Sequence, residues 1–316
     1  MHGRELPQPE PEPLEITMEG LLEAYLEEHL VRPATGQTYG QAVRRWVKET
    51  GITDPRGVTR QNTLEWRNSV LGRTRPETWN KYRRHLRALF NYALGRDWVV
   101  SNPFKEIPPA RTDHPLKKTV DPEVISRALA ILKAQDETGG RLEPAWLWAM
   151  VVRAIFYTGV RRRQIIELRW RDVNLGHGVW RIRAETTKTR REWLVPLAPE
   201  VIEDLEVLHE RTRERLGVPP EGEHQVYNVT LFYPRYKGPE LCDNQIGGFF
   251  HRLSTEVGTK ITPHRMRHTM ATLLAAHGDI RTLQELLGHT NISTTMGYVH
   301  PDAERMRTLV AHLPDL

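Results

Sequence analysis

The chain reads TPHRMRH at residues 262–268 and LGH at residues 287–289, and Tyr298 follows His289 by nine residues. His264 and Arg267 are three residues apart, so on a helix they share one face. The Ser-Thr-Thr sequence at 293–295 predicts a short turn before the tyrosine. Two histidines and an arginine are able to hold a phosphate, and a tyrosine hydroxyl can act as a nucleophile. The segment therefore indicates chemistry on a phosphodiester.

The residues that lead up to and follow this segment predict helices and one β-hairpin. Residues 179–185 alternate apolar and polar side chains, as a strand does, and residues 191–197 are the expected hairpin partner. Asp121 followed by Pro122 is typical of a helix N-terminus. Helices are expected at 123–133, 144–157, 200–216, 244–257, 263–276, 280–286 and 302–312.

The N-terminal part of the chain predicts four helices, at 18–31, 38–49, 61–71 and 76–94. Thr17 and Thr59 are the expected N-caps of the first and the third. In the fourth, apolar side chains recur at three- and four-residue steps, which predicts one buried face. Its other face carries four basic side chains, the candidates for DNA contact: Lys81, Arg83, Arg84 and Arg87.

These patterns predict a mostly α-helical protein with a small β-sheet, divided into two domains. At 316 residues the chain is long enough for two separate cores. We expect a disordered tail at 1–14, an all-α domain suited to duplex binding at 15–108, a proline-rich linker at 109–119, and a second domain with a C-terminal tail helix at 120–316.

The charge distribution favours a polyanionic partner. The net charge is +5 and the pI is about 9.3. Residues 73–96 hold seven basic residues against one acid, and residues 141–191 hold twelve against four. Two separated basic blocks suit a polyanion held between two surfaces, whereas the alternative is two solvated helix faces.

Cysteine content and hydropathy predict an intracellular protein. Cys242 is the only cysteine, so an intrachain disulfide is excluded. The N-terminus is acidic and rich in proline, unlike a signal peptide. The most apolar stretch, 145–160, contains Arg153 and is too short to span a bilayer, so we expect a buried helix there. These features predict a soluble, cytoplasmic protein without a membrane partner.

Further motifs complete a pattern along the chain: TGVR at 158–161, ELRWRD at 167–172 and TTKT at 186–189, before the histidine-rich segment. In this order they resemble the tyrosine recombinase family, which includes the Xer recombinases and the phage-type integrases. The resemblance covers nearly the whole chain. It implies an α-helical core-binding (SAM-like) domain followed by a mixed α/β catalytic domain.

The resemblance also implies a catalytic set in this sequence: Arg161, Lys188, His264, Arg267, His289 and Tyr298. The two arginines would stabilise the charge that develops on the non-bridging phosphate oxygens. Tyr298 would be the nucleophile, His264 the general base and Lys188 the general acid, while His289 would bind a non-bridging oxygen. Because this cationic set stands in for a metal ion, we expect neither a metal nor any other cofactor.

The expected reaction is site-specific recombination of double-stranded DNA through a 3′-phosphotyrosyl intermediate and a Holliday junction. The intermediate conserves the energy of the broken diester, and the sequence contains no G-x-x-x-x-G-K-[ST] loop for nucleotide binding. By resemblance the protein acts as a homotetramer on paired recombination sites, with accessory factors that set direction. The N-terminal region is expected to lack the additional arm-binding domain that some phage integrases carry.

Two positions and two rival functions stay open at this stage. The family often has an acid three residues after its first arginine, where this chain has Gln164, which we expect to support Arg161 by a hydrogen bond. His264 and His268 have the spacing of a helical zinc pair, but Arg265 and Arg267 disfavour a dication, so His268 is expected to be structural. The rival functions are a type IB topoisomerase and a non-catalytic DNA-binding accessory protein.

Overall fold

The computed structural model describes residues 16–113, 117–187, 190–299 and Arg307. The chain divides into two compact units, and the boundary between them lies between residues 114 and 115. The predicted tail at 1–14, the TTKT lysine Lys188 and the predicted helix at 302–312, apart from Arg307, lie outside the described residues.

In the described part of the first unit, all regular secondary structure is helical. Its helices are α1 (Met18–Glu28), α2 (Pro33–Thr50), α3 (Arg60–Arg73), α4 (Pro76–Leu94) and α5 (Pro103–Glu106), with a 3₁₀ turn at Pro55–Gly57. The Thr59 hydroxyl accepts a hydrogen bond from the Asn62 backbone N–H, and the Asn62 side chain accepts one from the Thr59 backbone N–H. This reciprocal cap satisfies donors that the first turn of α3 leaves unpaired.

Large aromatic side chains form the core of the first unit. Trp66 makes edge-on contacts with Trp46 and Trp79, with ring centroids 5.1 and 5.6 Å apart. Phe104 on α5 contacts both Trp46 and Phe90. Each such ring buries a large apolar area, so five of them hold the short helices together. The apolar face predicted for α4 is the face that this core buries.

The second unit combines nine helices with one small sheet in its described part. The helices are α6 (Pro122–Thr138), α7 (Ala145–Thr158), α8 (Arg162–Glu167), α9 (Pro199–Leu216), α10 (Val229–Phe232), α11 (Asp243–Val257), α12 (Pro263–Ala275), α13 (Ile280–Leu286) and α14 (Ile292–Met296). The strands are β1 (Val173–Asn174), β2 (Val179–Ile182) and β3 (Trp193–Pro196), antiparallel in the order β1-β2-β3. Trp180 pairs with Val195 in the register of β2 and β3.

Helix α7 lies at the centre of the second unit and packs against α6, α9 and α12. Most of its side chains are buried, which explains the continuous apolar run in its sequence. Arg153 interrupts that run and forms two hydrogen bonds of 2.6 Å with the Asp204 carboxylate on α9. A bidentate pair of this kind makes a half-buried arginine tolerable. Within the described ranges no helix is long and apolar enough to cross a membrane.

The predicted fold class, mostly α-helical with a small β-sheet, is confirmed. Several local predictions are wrong; helix α6, for example, ends at Thr138, five residues after its predicted end. Residues 293–295 form part of helix α14 rather than a turn, because the Asn291 side chain caps a short helix there. The strand predicted at 179–185 ends at Ile182, since Ala184–Thr186 wind into a 3₁₀ turn. Helix α2 begins at Pro33, five residues before its predicted start.

Candidate active site

Four segments of the second unit, helix α12 and three connections, carry the polar motifs of the site. The turn after α7 carries Arg161, and the first two turns of α12 carry His264, Arg267 and His268. The turn after α13 carries His289, and Tyr298 follows the end of α14. Helix α12 is therefore the element that the other three segments surround.

Gly159 allows the end of α7 to approach α12 closely. Its φ of +60° lies in the left-handed region, which a side chain disfavours. A Cβ atom at this position would overlap the terminal methyl of Met270 on α12. The carbonyl oxygen of Gly159 accepts a hydrogen bond from the Arg267 guanidinium. The glycine thus couples the Arg161 turn to the arginine of α12.

Arg267 is the most constrained polar side chain of the site, with only 2% of its surface exposed. Its guanidinium donates to the carbonyl oxygens of Gly159 and Leu287, the latter at 2.9 Å, and to His289 Nε2 at 3.0 Å. Burial and then the nearby Arg161 lower the pKa of Arg267 to about 10, and interaction with Tyr298 opposes that shift. Arg267 is still protonated at neutral pH, so it presents a fixed, directed positive charge.

His289 is held as a neutral imidazole of one tautomer. An arginine N–H can only donate, so the Nε2 atom that Arg267 contacts must accept. The proton is then on Nδ1, which lies 2.9 Å from the Thr295 hydroxyl on α14. Burial, followed by the positive charges of Arg267, Arg161 and Lys117, lowers the pKa of His289 to about 4. His289 therefore stays neutral over the physiological pH range.

Tyr298 is buried beside His268 and His289, with 3% of its surface exposed. Its hydroxyl is 3.2 Å from His268 Nδ1, and its ring is parallel to that of His289 with centroids 6.1 Å apart. The Lys117 ammonium nitrogen lies 3.3 Å from the centroid of the Tyr298 ring. The ring packs in a small cluster that includes Met270 and Leu287. The phenol is thus oriented on its edge by a histidine and on its face by a cation.

A cavity of about 320 Å³ opens beside Arg267. It is lined by the three consecutive arginines and the start of α12: Arg161, Arg162, Arg163, Thr262, Pro263, His264 and Arg267. His264 lies with its ring 4.1 Å from that of His268, and burial lowers its pKa, with Arg267 the next cause. A concave surface lined by guanidinium groups and a neutral imidazole is suited to an anion such as a phosphate.

The comparison with known families settles the assignment of the chain. Residues 118–305 match the model of the phage integrase family. This chain belongs to the phage integrase family. The match begins next to Lys117 and includes every described polar residue of the site from Arg161 to Tyr298.

Two curated relatives of this integrase-family chain are tyrosine recombinases by name. The chain is 36% identical to a putative tyrosine recombinase XerC of Pseudomonas syringae, over 93% of this chain and 64% of that protein. It is 34% identical to a putative tyrosine recombinase XerC of Pseudomonas aeruginosa, over 93% of this chain and 71% of that protein. The chain therefore spans about two thirds of the length of these relatives.

Two solved structures have the same fold. The Tn1549 transposon integrase in complex with a circular intermediate DNA aligns with a TM-score of 0.70 at 20% identity, covering 95% of this chain and all of that one. The XerH site-specific recombinase bound to its difH substrate aligns with a TM-score of 0.68 at 20% identity, covering 93% of this chain and 84% of that one.

The structure of this integrase-family chain brings five of the six predicted catalytic residues to one place. Arg161, His264 and Arg267 line the cavity beside α12. His289 contacts Arg267, and the ring of Tyr298 lies parallel to that of His289. The sixth, Lys188, lies outside the described residues. Among the residues described, no group of three or more His, Cys, Asp or Glu side chains could hold a metal ion.

The structure shows how two neighbouring residues, Gln164 and His268, contact the site. Gln164 was expected to support Arg161 by a hydrogen bond, and its Oε1 accepts one of 2.7 Å from the Arg161 backbone N–H. The glutamine therefore holds the main chain of the turn rather than the guanidinium. His268 was expected to be structural, and the structure places its Nδ1 at hydrogen-bond distance from the Tyr298 hydroxyl. Its spacing, one helical turn after His264, was the signal in the sequence.

The four candidate DNA-contact residues lie on α4 in the first unit. Arg83 is partly buried and donates to the carbonyl oxygen of Ile107, and Lys81 Nζ lies 3.4 Å from Gln41 Oε1. Arg84 is exposed and Arg87 is partly buried. The acceptors of Arg83 and Lys81 are neutral, so these two contacts leave the positive charges of both side chains uncompensated.

Proposed function

We propose that this protein is a site-specific DNA recombinase that cleaves and rejoins DNA strands through a covalent 3′-phosphotyrosyl intermediate. One observation carries the proposal: the buried guanidinium of Arg267, at the edge of an arginine-lined cavity, contacts His289, and the ring of His289 lies parallel to that of Tyr298. A phosphate binder and a nucleophile at the same point are what strand transfer requires. The family membership and the recombinase relatives support the reaction class.

The cavity would hold the scissile phosphate. Arg161 and Arg267 would donate to its non-bridging oxygens, which carry more negative charge in the transition state than in the ground state. His264 borders the same cavity and would contact the phosphate as well. Because Arg267 is fixed by two carbonyl acceptors and His289, it needs little reorganisation when the charge develops.

The phenol oxygen would attack phosphorus as the bond to the 5′-oxygen breaks. The phenolic proton passes to a histidine, and the leaving 5′-oxygen takes up a proton, for which we propose Lys188. The sequence favours His264 as the base, whereas the geometry favours His268, whose Nδ1 is 3.2 Å from the hydroxyl. Burial lowers the pKa of His268 to about 4, so it is neutral and able to accept a proton at neutral pH.

Glutamine substitutions distinguish the two histidines. If His268 is the base, His268→Gln lowers the cleavage rate at saturating DNA and leaves DNA affinity unchanged, because the histidine contacts the hydroxyl rather than the cavity. His264→Gln, which changes the cavity lining, then weakens binding as well. If instead His264→Gln lowers the cleavage rate and His268→Gln does not, His264 is the general base.

Duplex DNA is the proposed substrate. The Tn1549 integrase and XerH were solved with DNA, and they share the fold of this chain. We assign residues 15–108 as the core-binding domain, 109–119 as the linker and 120–316 as the catalytic domain, with the basic face of α4 on the duplex. The protein would act as a homotetramer on two recombination sites, with accessory factors that set direction, at the nucleoid in the cytoplasm.

A covalent-trapping assay tests the proposal. The full chain is mixed with nicked duplexes from the DNA that flanks its gene, and SDS-resistant protein–DNA adducts are measured. We expect an adduct at a 3′-phosphate for the wild type and for Tyr157→Phe, an exposed tyrosine that does not line the cavity, but none for Tyr298→Phe. Binding without any adduct would overturn the proposal in favour of an accessory DNA-binding protein. Relaxation of a supercoiled plasmid that carries a single site would indicate a topoisomerase instead.

A further inference from the structure

We propose that Lys117 is a positioning residue for the nucleophile: its ammonium group clamps the ring of Tyr298 and the end of helix α14 in the orientation needed for attack. The inference rests on the proposed function, since it assigns a role in the same reaction. Lys117 lies 181 residues before Tyr298 in the sequence, just before helix α6.

Lys117 makes two contacts with the segment that carries the tyrosine. Its Nζ lies 3.3 Å from the centroid of the Tyr298 ring. The same nitrogen donates a hydrogen bond of 3.0 Å to the carbonyl oxygen of Thr294. Carbonyl groups in the last turn of a helix lack partners within the helix and attract positive charge. One ammonium group therefore joins the end of α14 to the ring.

Gly297 leaves the space that this contact requires. A Cβ atom at Gly297 would lie 3.0 Å from Lys117 Nζ and 3.2 Å from its Cε. These separations are tighter than nine in ten real Cβ contacts, so a side chain there would press on the lysine. The residue directly before the nucleophile is thus small at the point where the lysine passes over it.

The partly buried positive charge of Lys117 is compensated by the aromatic ring of Tyr298. Lys117 is partly buried, and burial followed by the positive charge of Arg267 lowers its pKa. Its positive charge in turn contributes to the lowered pKa values of His264, His268 and His289. No carboxylate forms an ion pair with Lys117 among residues 16–113, 117–187 and 190–299. The face of the phenol ring and the Thr294 carbonyl are the groups that compensate the cation.

The position of Lys117 separates it from the groups that transfer protons. Its nitrogen lies over the ring face, whereas the hydroxyl faces His268. Lys117 therefore acts through Tyr298 and α14 rather than on the phosphate. Reactions of held groups lose much of their rate when a reacting atom is displaced by about 1 Å, so the loss of the clamp should slow cleavage without weakening DNA binding.

The test uses the full chain with three substitutions. Lys117→Met keeps the length and the apolar stem but removes the charge, Lys117→Arg keeps a cation, and Lys118→Met is the matched control at an exposed neighbour. Adduct formation on a nicked duplex, DNA affinity and melting temperature are measured for each. We expect Lys117→Met to cleave roughly tenfold to a hundredfold more slowly at unchanged affinity. Lys117→Arg should recover most of the rate, and Lys118→Met should match the wild type.

A second readout does not depend on activity. Tyr298 is 3% exposed, so nitration by tetranitromethane, followed by mass spectrometry, should be slow at this residue in the wild type. Lys117→Met should raise nitration at Tyr298 at least severalfold, and Lys117→Arg should not.

Two results would overturn the inference. One is a Lys117→Met variant with wild-type rates of both cleavage and nitration. The other is equal loss of rate in the Met and Arg variants together with a lower melting temperature, which would indicate a merely structural lysine. If the wild type forms no adduct but Lys117→Met raises nitration, the proposed function fails while the clamp on Tyr298 stands.

Discussion

Gly288→Ala is expected to destabilise the second unit because Gly288 is restricted in two independent ways. Its φ is +61°, in the left-handed region, and a Cβ atom there would lie 2.6 Å from Cε2 and Cη2 of Trp193. The Trp193 indole is held in place, because its Nε1–H donates a hydrogen bond of 3.3 Å to the Leu286 carbonyl oxygen and its ring packs on the core. The substitution therefore strains both the backbone and the packing.

The two costs can be estimated separately. A non-glycine residue in the left-handed conformation costs roughly 1–2 kcal/mol. Overpacking against a held aromatic ring adds about 1–3 kcal/mol. The free energy of unfolding should thus fall by roughly 2–5 kcal/mol in Gly288→Ala. Gly258 provides the matched control, since its φ is +75° but a Cβ atom there would meet no other atom within 4 Å, so Gly258→Ala should lose only the backbone part.

These losses in the free energy of unfolding are measured by denaturant unfolding of the full chain, monitored by a spectroscopic signal from the second unit. A double-mutant cycle with Trp193→Phe isolates the packing part, because phenylalanine lacks the ring that Gly288 approaches. In that background Gly288→Ala should cost about 1–3 kcal/mol less than in the wild type. The reasoning is refuted if the two glycine substitutions cost the same, or if Trp193→Phe leaves the cost of Gly288→Ala unchanged. Adduct formation should also fall in Gly288→Ala, since His289 is the next residue.

Two further predictions concern pH and DNA binding. Burial lowers the pKa of His268 and of His289 to about 4, so the unfolded chain takes up their protons near pH 6.5 and the folded chain only near pH 4. Their contribution to stability is complete above about pH 6.5 and is lost as the pH falls towards 4. At pH 5 the loss should be on the order of 2 kcal/mol for each histidine. Melting temperatures at pH 7.5 and 5 should show this loss, and a His289→Gln variant with the same pH dependence as the wild type would contradict it. Replacing Arg83, Arg84 and Arg87 with alanine should weaken DNA binding. The slope of log affinity against log salt concentration should become shallower by about 1 for each phosphate that the variant no longer neutralises. An unchanged slope in a salt titration of binding would exclude these residues from the interface.

Elements with a strong local signal could be predicted from the sequence. Helix α4 runs over the predicted range, Pro76–Leu94, because its apolar stripe is long and proline suits its first position. The helix caps at Thr59 and Asp121 could be recognised because each side chain accepts a hydrogen bond from a backbone N–H only two or three residues away. Short helices such as α10 and α14 could not be predicted, because four or five residues are too few to show a period.

The order and chemical type of the site residues were determined by the sequence itself. Which atoms meet was decided only by the tertiary structure. The packing of α12 against α7 buries Arg267 under the Gly159 turn, and the Gly288 turn directs His289 Nε2 towards it. The packing of α13 against α12 and α14 places the hydroxyl of Tyr298 at His268. Such contacts join residues 20 or more positions apart in the chain, so no local pattern of side chains encodes them.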